Sequence, residues 1–413
     1  MKQRIFYGWW IVFACLWASL LGNALGLFGA GVYLHAIAAS NGWKNSTVSG
    51  AISLFYLVSA LLLIPVGSGI SRFGPRLFVA VGAFAMALGV VGVGRAFEPW
   101  QVYLAFPVMG IGWACLSTTA VATTLAPWFE RQQGRAISIA SIGASAGGML
   151  GPPLILAGIA KLGFASTTGI AGGIVLLTLL PLAVLILRHR PEDMGLQPDG
   201  ALESRSSGRR QGGGWDRRTA MRTPALTSTI TAFGIGMSMQ IGFLTHQVTL
   251  LSYSLSNQVV AATITTTAGA ALAGRLVLIK FADKLDIRGA SSAVLTLAAV
   301  SYCAIAFAHG PLPLICACAL FGLTVGNVTT LSPILVRKEF GSSSFGNIYG
   351  IASCAIQFFA AFGPSFYGFL HDASGSYRAP LVAAAALDVL AAWIILGGRN
   401  SLSAKRSGHT LAS

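Results

Sequence analysis

The chain has 413 residues, of which 54% are hydrophobic and only 9% charged, whereas a soluble domain carries about 25% charged residues. That deficit excludes a soluble globular protein, and the net charge of +15 needs no nucleic-acid partner once the charges are placed. Uncharged apolar stretches recur along the whole length, each near or above the roughly 20 residues that cross a bilayer core. In lipid the backbone must satisfy its own hydrogen bonds, so these stretches are expected to be helices.

Twelve spans are predicted, at roughly 8–39, 47–70, 77–95, 101–127, 136–161, 166–187, 223–254, 258–280, 289–308, 311–336, 345–370 and 379–398. With the N-terminus in the cytoplasm, 22 of the 27 Lys and Arg residues fall on the cytoplasmic side, among them Lys2, Arg4, Arg72, Arg76, Arg131 and Arg135. Lys44, Arg95, Lys161 and Arg378 fall outside, and Arg275 lies within a span. This asymmetry is the positive-inside pattern, so the excess charge records topology, with both termini cytoplasmic. The first span is too long for a signal-peptide core and is expected to remain as a helix. All six cysteines fall inside predicted spans, so neither a disulfide framework nor a metal site is expected.

The one long polar segment, 188–222, holds eight arginines together with Pro191, Pro198 and Gly212 to Gly214. Its composition predicts a flexible cytoplasmic linker. The expected organisation is a six-helix bundle over 1–187, the linker, a second bundle over 223–398 and a tail over 399–413. The bundles correspond to each other. Gly151-Pro152 in the fifth span returns 212 residues later as Gly363-Pro364 in the eleventh, and the loop from Gly67 to Arg76 returns at the same offset as Ile279 to Arg288. Two landmarks at one offset point to parallel duplication and to two pseudo-symmetric bundles. Spans 5 and 11 are rich in Gly, Ala and Ser, which lets helix backbones approach closely in lipid.

An ionisable residue inside the bilayer is costly and is a functional candidate by default. Arg275 follows the small residues Ala268 and Ala271 by two turns and one, and a guanidinium binds a carboxylate through two parallel hydrogen bonds. The alternative is an arginine that snorkels to the cytoplasmic end or pairs with Asp388 or Asp283. Asp388, in the middle of the last span, is either a protonation site or a structural carboxyl. His246 in the seventh span suits hydrogen bonding to an anion or proton coupling, and an interhelical structural histidine is the other reading. Tyr33, Tyr56, Ser117, Thr118, Thr119, Asn327, Tyr349 and Gln357 are polar groups that could line a cavity or bond between helices. No catalytic constellation, phosphate-binding loop or cofactor motif occurs, so neither an enzyme nor an ATP-driven pump is expected. Nothing in the sequence fixes an oligomeric state.

Several segments in order resemble one family. They are Tyr7-Gly8-Trp9-Trp10, Gly42-Trp43, Trp128-Phe129 with Arg131 and Gly134-Arg135-Ala136, Arg190 to Leu196 with Pro198-Asp199-Gly200, and Phe345-Gly346 with Tyr349-Gly350 and Gly363-Pro364. Together they resemble the major facilitator superfamily and, within it, bacterial monocarboxylate porters and oxalate/formate exchangers. The resemblance implies alternating access of two six-helix bundles in the bacterial inner membrane, and it aligns Arg275 with the arginine that binds the substrate carboxylate. The chain departs from the family pattern at Ala271, where proton-coupled members have Asp, and at Phe28, where they have Lys. It also has Ile356 and Gln357 where dicarboxylate exchangers carry a second cation, and Ser71 where the loop after the second span usually has Asp, which here is found only as Asp283. A single binding cation implies a small organic monoanion as substrate. Phe28, Tyr33, Tyr349, His246 and Asn327 are expected to shape the pocket. His246 or Asp388 would carry a coupling proton unless the protein exchanges anions or runs as a uniporter. Gly67, Arg72, Gly74, Arg76, Asp283 and Arg288 are expected to form the gating loops. The competing expectations are efflux of lipophilic drugs, with Arg275 structural, and a non-transporting membrane sensor.

Overall fold

A computed structural model of the protein describes residues 6–200, 217–281, 286–341 and 345–398. Among the described residues there is no strand. The long helices are α1 Gly8–Asn41, α2 Asn45–Phe73, α3 Pro75–Gly94, α4 Pro99–Leu125, α5 Gln133–Leu162 and α6 Phe164–Ile186. They continue as α7 Pro224–Ser252, α8 Asn257–Phe281, α9 Ile287–Phe307, α10 Pro311–Phe340, α11 in two pieces, Phe345–Ala360 and Gly363–Ser374, and α12 Arg378–Gly397. Eleven of them are long and apolar enough to cross a membrane. The other, α7, has the length, at 29 residues, but its apolar character is diluted by threonines and serines and by Gln240, His246 and Gln247. Leu88, Leu177 and Trp393 are 68%, 78% and 75% exposed, a surface that suits lipid rather than water.

Three of the twelve helices are interrupted in mid-course where the sequence predicts continuity, and α6 ends in a π-turn over Leu182–Ile186. In α1 a π-turn spans Asn23–Leu27, and the Phe28 N–H reaches the Asn23 carbonyl at 3.0 Å. In α4 Ser117 is extended (φ −68°, ψ 164°), and its hydroxyl accepts from the Ala120 N–H and so caps the second piece. In α11 the break precedes Gly363-Pro364, whereas α5 runs unbroken through Pro152 and Pro153.

The predicted loop around residues 67–76 is corrected as well. Helix α2 continues to Phe73, so Gly67 and Arg72 are helical, and the turn is the single residue Gly74 at φ 85°, followed by Pro75 in the first turn of α3. Glycine accepts that backbone angle and proline suits a first helical turn. The first part of the predicted flexible linker is also folded. Pro191–Met194 forms a 3₁₀ turn. The Asp199 carboxylate accepts from the backbone N–H groups of Glu130, Arg131 and Gln132 at 3.0, 2.6 and 3.3 Å, which holds the segment on the turn between α4 and α5. Asp283 lies outside the described residues.

The chain divides into two compact units, Met1–Ser207 (unit 1) and Gly208–Ser413 (unit 2). They repeat a packing device. Gly110 of α4 faces the Phe55 carbonyl of α2, and Gly322 of α10 faces the Thr267 carbonyl of α8, each too close to admit a side chain. Both pairs are related by the 212-residue offset of the sequence landmarks. Close backbone approach at small residues is how helices gain van der Waals contact in lipid.

Candidate substrate and coupling site

Arg275 is half-buried within the apolar span 257–278. Helix α8 meets α10 along Gly322 and Gly326, and a Cβ on Gly326 would lie 2.6 Å from the Ala271 carbonyl and 3.1 Å from Arg275 Nε. The missing side chain at Gly326 therefore makes the shelf across which the arginine stem lies. Asn327, the next residue, donates from Nδ2 to the Leu323 carbonyl at 2.9 Å and keeps a buried Oδ1 without a protein partner. One and two turns before Arg275, Ala271 and Thr267 hold α8 against its neighbours. The Thr267 hydroxyl receives the Gln247 Nε2 of α7 at 3.0 Å. Arg275 and Asn327 thus share one helix–helix seam.

The other predicted residues of unit 2 are placed elsewhere. His246 is fully buried, with its Nε2 3.1 Å from the Pro364 carbonyl and its Nδ1 2.9 Å from the Tyr377 hydroxyl. A carbonyl only accepts, so Nε2 carries the hydrogen and Nδ1 accepts from Tyr377. The ring stacks on Tyr367 at 5.9 Å. His246 is therefore a clamp among α7, the second piece of α11 and the start of α12, with both nitrogens occupied. Tyr349 stacks on Phe345 at 5.2 Å and 6°, and its hydroxyl points toward Ser332 and Ser353. Asp388 is 1% exposed, with Oδ1 unpartnered. It forms no ion pair among the described residues, so the alternative of a pairing with Arg275 does not occur there. In unit 1, Phe28 follows the π-turn and lays its ring on Gly148 of α5. Tyr33 is fully buried near Gly29 and Phe164 and lines no open surface of its unit.

The expected gating residues are mostly staples. Arg288, 3% exposed, grips Glu339 of α10 with two parallel bonds, Nε–Oε1 at 2.6 Å and Nη2–Oε2 at 3.0 Å. It also donates to the Ile395 carbonyl of α12 at 2.6 Å, to Ser228 at 3.1 Å and to the Ala225 carbonyl of α7 at 2.9 Å. This corrects the loop assignment: Arg288 sits in the first turn of α9 and ties four helices together. Arg76, which is exposed, donates from Nε to the Leu187 carbonyl at 2.6 Å, and His189 meets the Ser71 carbonyl at 3.2 Å. The Arg72 guanidinium rests over the Phe73 ring at 5.1 Å.

The sequence profile of the Major Facilitator Superfamily matches residues 16–364. The chain belongs to that superfamily. Among similar proteins, "MFS-type transporter 1" of Ophiocordyceps sp. (strain BCC 1869) is 26% identical over 370 residues, covering 87% of this chain and 78% of its own. The "Agnestins efflux protein AgnL12" of Paecilomyces divaricatus is 27% identical over 178 residues, covering 43% and 40%. A bacterial homolog of the human lysosomal transporter Spinster, solved inward-facing and unoccupied, superposes with a TM-score of 0.77 at 15% identity, covering 97% of this chain and 98% of that one. That last likeness concerns the fold alone.

Within this major facilitator protein the sequence reading left several site-building groups unassigned. Glu339 is the one carboxylate of α10, but it follows Arg337 and Lys338, which masked it as part of a basic helix end. Tyr302 and Tyr367 carry no chemical assignment from the sequence, and Tyr377 belongs to a segment that resembles the family's helix 11 region; their packing near His246 and Asp388 is what distinguishes them. The signal available for Tyr367 was its place one turn after Gly363-Pro364.

Proposed function

We propose that this major facilitator protein is a secondary transporter of a small organic monoanion, best matched by a monocarboxylate, with Arg275 binding the carboxylate. The observation that carries this reading is a cation inside the bilayer span of α8, seated on the side-chain-free Gly326 of α10. A charge at that depth is costly to keep, and a guanidinium fork is suited to a planar carboxylate. Asn327, on the same seam, and Tyr349, elsewhere in unit 2, are the candidates for further polar contacts. Bound substrate would neutralise Arg275 and lower the cost of enclosing it, and a ligand shifts a conformational equilibrium only through such differential interaction. The positive-inside count supports cytoplasmic termini in a plasma membrane, the bacterial inner membrane being the reading of the sequence motifs.

Transport assays in proteoliposomes containing only this protein test the assignment. Arg275→Ala is expected to lose flux and Arg275→Lys to keep part of it, with both variants inserted normally. Normal flux in Arg275→Ala would defeat the assignment, and no flux of any solute in the wild type would favour a sensor.

The name of the efflux relative supports a second reading, outward movement of a lipophilic product with Arg275 structural. Competition separates the two. Simple carboxylates should inhibit transport on the first reading and leave it untouched on the second.

A further inference from the structure

The interior of unit 2 holds a second polar group that the carboxylate reading does not use. Asp388 stands in the middle of α12 with its Oδ1 turned toward Gly236 of α7, 3.9 Å from where a Cβ of that glycine would be. The hydroxyls of Tyr302 on α9 and Tyr367 on α11 face one another and neighbour Asp388, without meeting hydrogen-bond geometry. All three oxygens are buried and unpartnered, and the three residues are 0–1% exposed. The rings are held in place. Tyr302 is wedged against Phe243 at 5.7 Å and Phe321 at 5.3 Å, and Tyr367 lies against Gly242 and stacks on His246.

Three buried oxygens without hydrogen-bond partners inside one unit are expensive unless something satisfies them. A carboxyl flanked by two phenols has a specific property. Ionised, it can accept from a phenol hydroxyl; protonated, it can donate to one, so phenol neighbours suit both charge states. A bound metal cation would demand more oxygen ligands than one carboxylate and two phenols provide, and no cation side chain pairs with Asp388 among the described residues. We infer that Asp388, Tyr302 and Tyr367 form a proton-binding site inside unit 2, at which a proton adds to Asp388 Oδ1 and is released again during the transport cycle.

The titratable and charged groups around the site are few. From α9 they are Tyr302 and, at the far end near Ile395, Arg288. From α7 it is His246, and from the second piece of α11 they are Tyr367, His371 and Asp372. Tyr377 and Arg378 stand at the start of α12. They mark a polar line toward the helix ends. His246 bonds to Tyr377, whose ring lies 4.2 Å from that of His371. His371 pairs with Asp372 at 3.0 Å, with side chains 13% and 19% exposed. Protons would reach the site from that end. The inference rests on the transport reading but not on Arg275 or on the anion carried.

The test is infrared difference spectroscopy of the purified full-length protein in lipid across a pH titration, which needs no substrate. The wild type should show a carboxylic-acid C=O band that appears and disappears reversibly with pH. The band should vanish in Asp388→Asn and return at a shifted frequency in Asp388→Glu. In the Tyr302→Phe/Tyr367→Phe double variant it should move to higher frequency, because the acid has lost its hydrogen-bond partners. That variant keeps both rings and so guards against a folding failure of Asp388→Asn. A wild-type spectrum without a titrating acid band, or one unchanged in Asp388→Asn, would overturn the inference. A band governed by added sodium rather than by pH would also overturn it, by assigning the site to a metal cation.

Discussion

Arg76 in unit 1 and Arg288 in unit 2 occupy matching places, 212 residues apart, at the start of the third helix of each unit. Arg76 is exposed and makes one bond to the end of α6, whereas Arg288 is 3% exposed and grips Glu339 of α10 and two further helices, α7 and α12. The contrast extends through the interiors. Among the described residues of unit 1 the buried polar side chains are Ser, Thr and Asn, with no buried charge or histidine; unit 2 buries His246, Arg288 and Asp388. Both units share the glycine seams that bring their helices together, yet among the described residues only unit 2 buries charged or histidine side chains. The scaffold recurs in both units, and the buried charged and histidine side chains are concentrated in the second.

The largest effect that could sharpen this contrast is Arg288→Ala. Removing one partner of a buried ion pair strands the other and costs about 3–5 kcal/mol, so thermal unfolding of the purified protein should drop steeply. Arg288→Lys should recover part of the loss, since it keeps the charge without the fork. Next is Gly363→Ala, whose Cβ would collide with the Ser238 carbonyl of α7, against its counterpart Gly151→Ala, whose Cβ would meet Ala24 at 2.7 Å. Overpacking of this kind costs about 1–3 kcal/mol, with Gly363 expected at the upper end. Gly350→Ala, with no atom within 4 Å, should be silent in the same melting assay. Tyr377→Phe leaves His246 Nδ1 buried without a donor, a loss of about 1–3 kcal/mol, which the double variant with His246→Phe should partly recover. Among the polar substitutions the smallest effect belongs to Arg76→Ala, about 1 kcal/mol for one hydrogen bond. Equal losses for Arg76→Ala and Arg288→Ala would break the comparison.

The sequence made the helices legible because their signal is local. Runs of apolar residues and the glycines that end them place nearly all the boundaries within a few residues. The breaks were not legible. Nothing in Leu116-Ser117-Thr118 marks an extended residue, and the π-turn after Gly22 depends on how α1 packs on α5. Gly67 read as a loop because glycine is a turn signal, but Gly74 with its positive φ is the residue that ends α2. At the candidate site Arg275 stood out on charge alone, since it is the one cation well inside a predicted span. Its shelf at Gly326 did not, and neither did the bonds of His246 to Pro364 and Tyr377, 118 and 131 residues away. Those partners are fixed by tertiary packing, which no local pattern records. Asp388 was visible as an acid in an apolar helix, but its phenol neighbours come from α9 and α11 and were not.

The central claim, that Arg275 in unit 2 recognises a carboxylate, is tested most directly by thermal stabilisation of the purified protein across monocarboxylates, dicarboxylates, aromatic acids and neutral analogues, in the wild type and in Arg275→Ala. A ligand that binds only the folded state raises its stability by RT ln(1 + [L]/Kd), about 2.7 kcal/mol at a hundredfold excess over Kd. The account predicts stabilisation by monocarboxylates in the wild type and none in Arg275→Ala. Stabilisation that persists in Arg275→Ala, or that comes only from neutral or cationic lipophilic compounds, would contradict it.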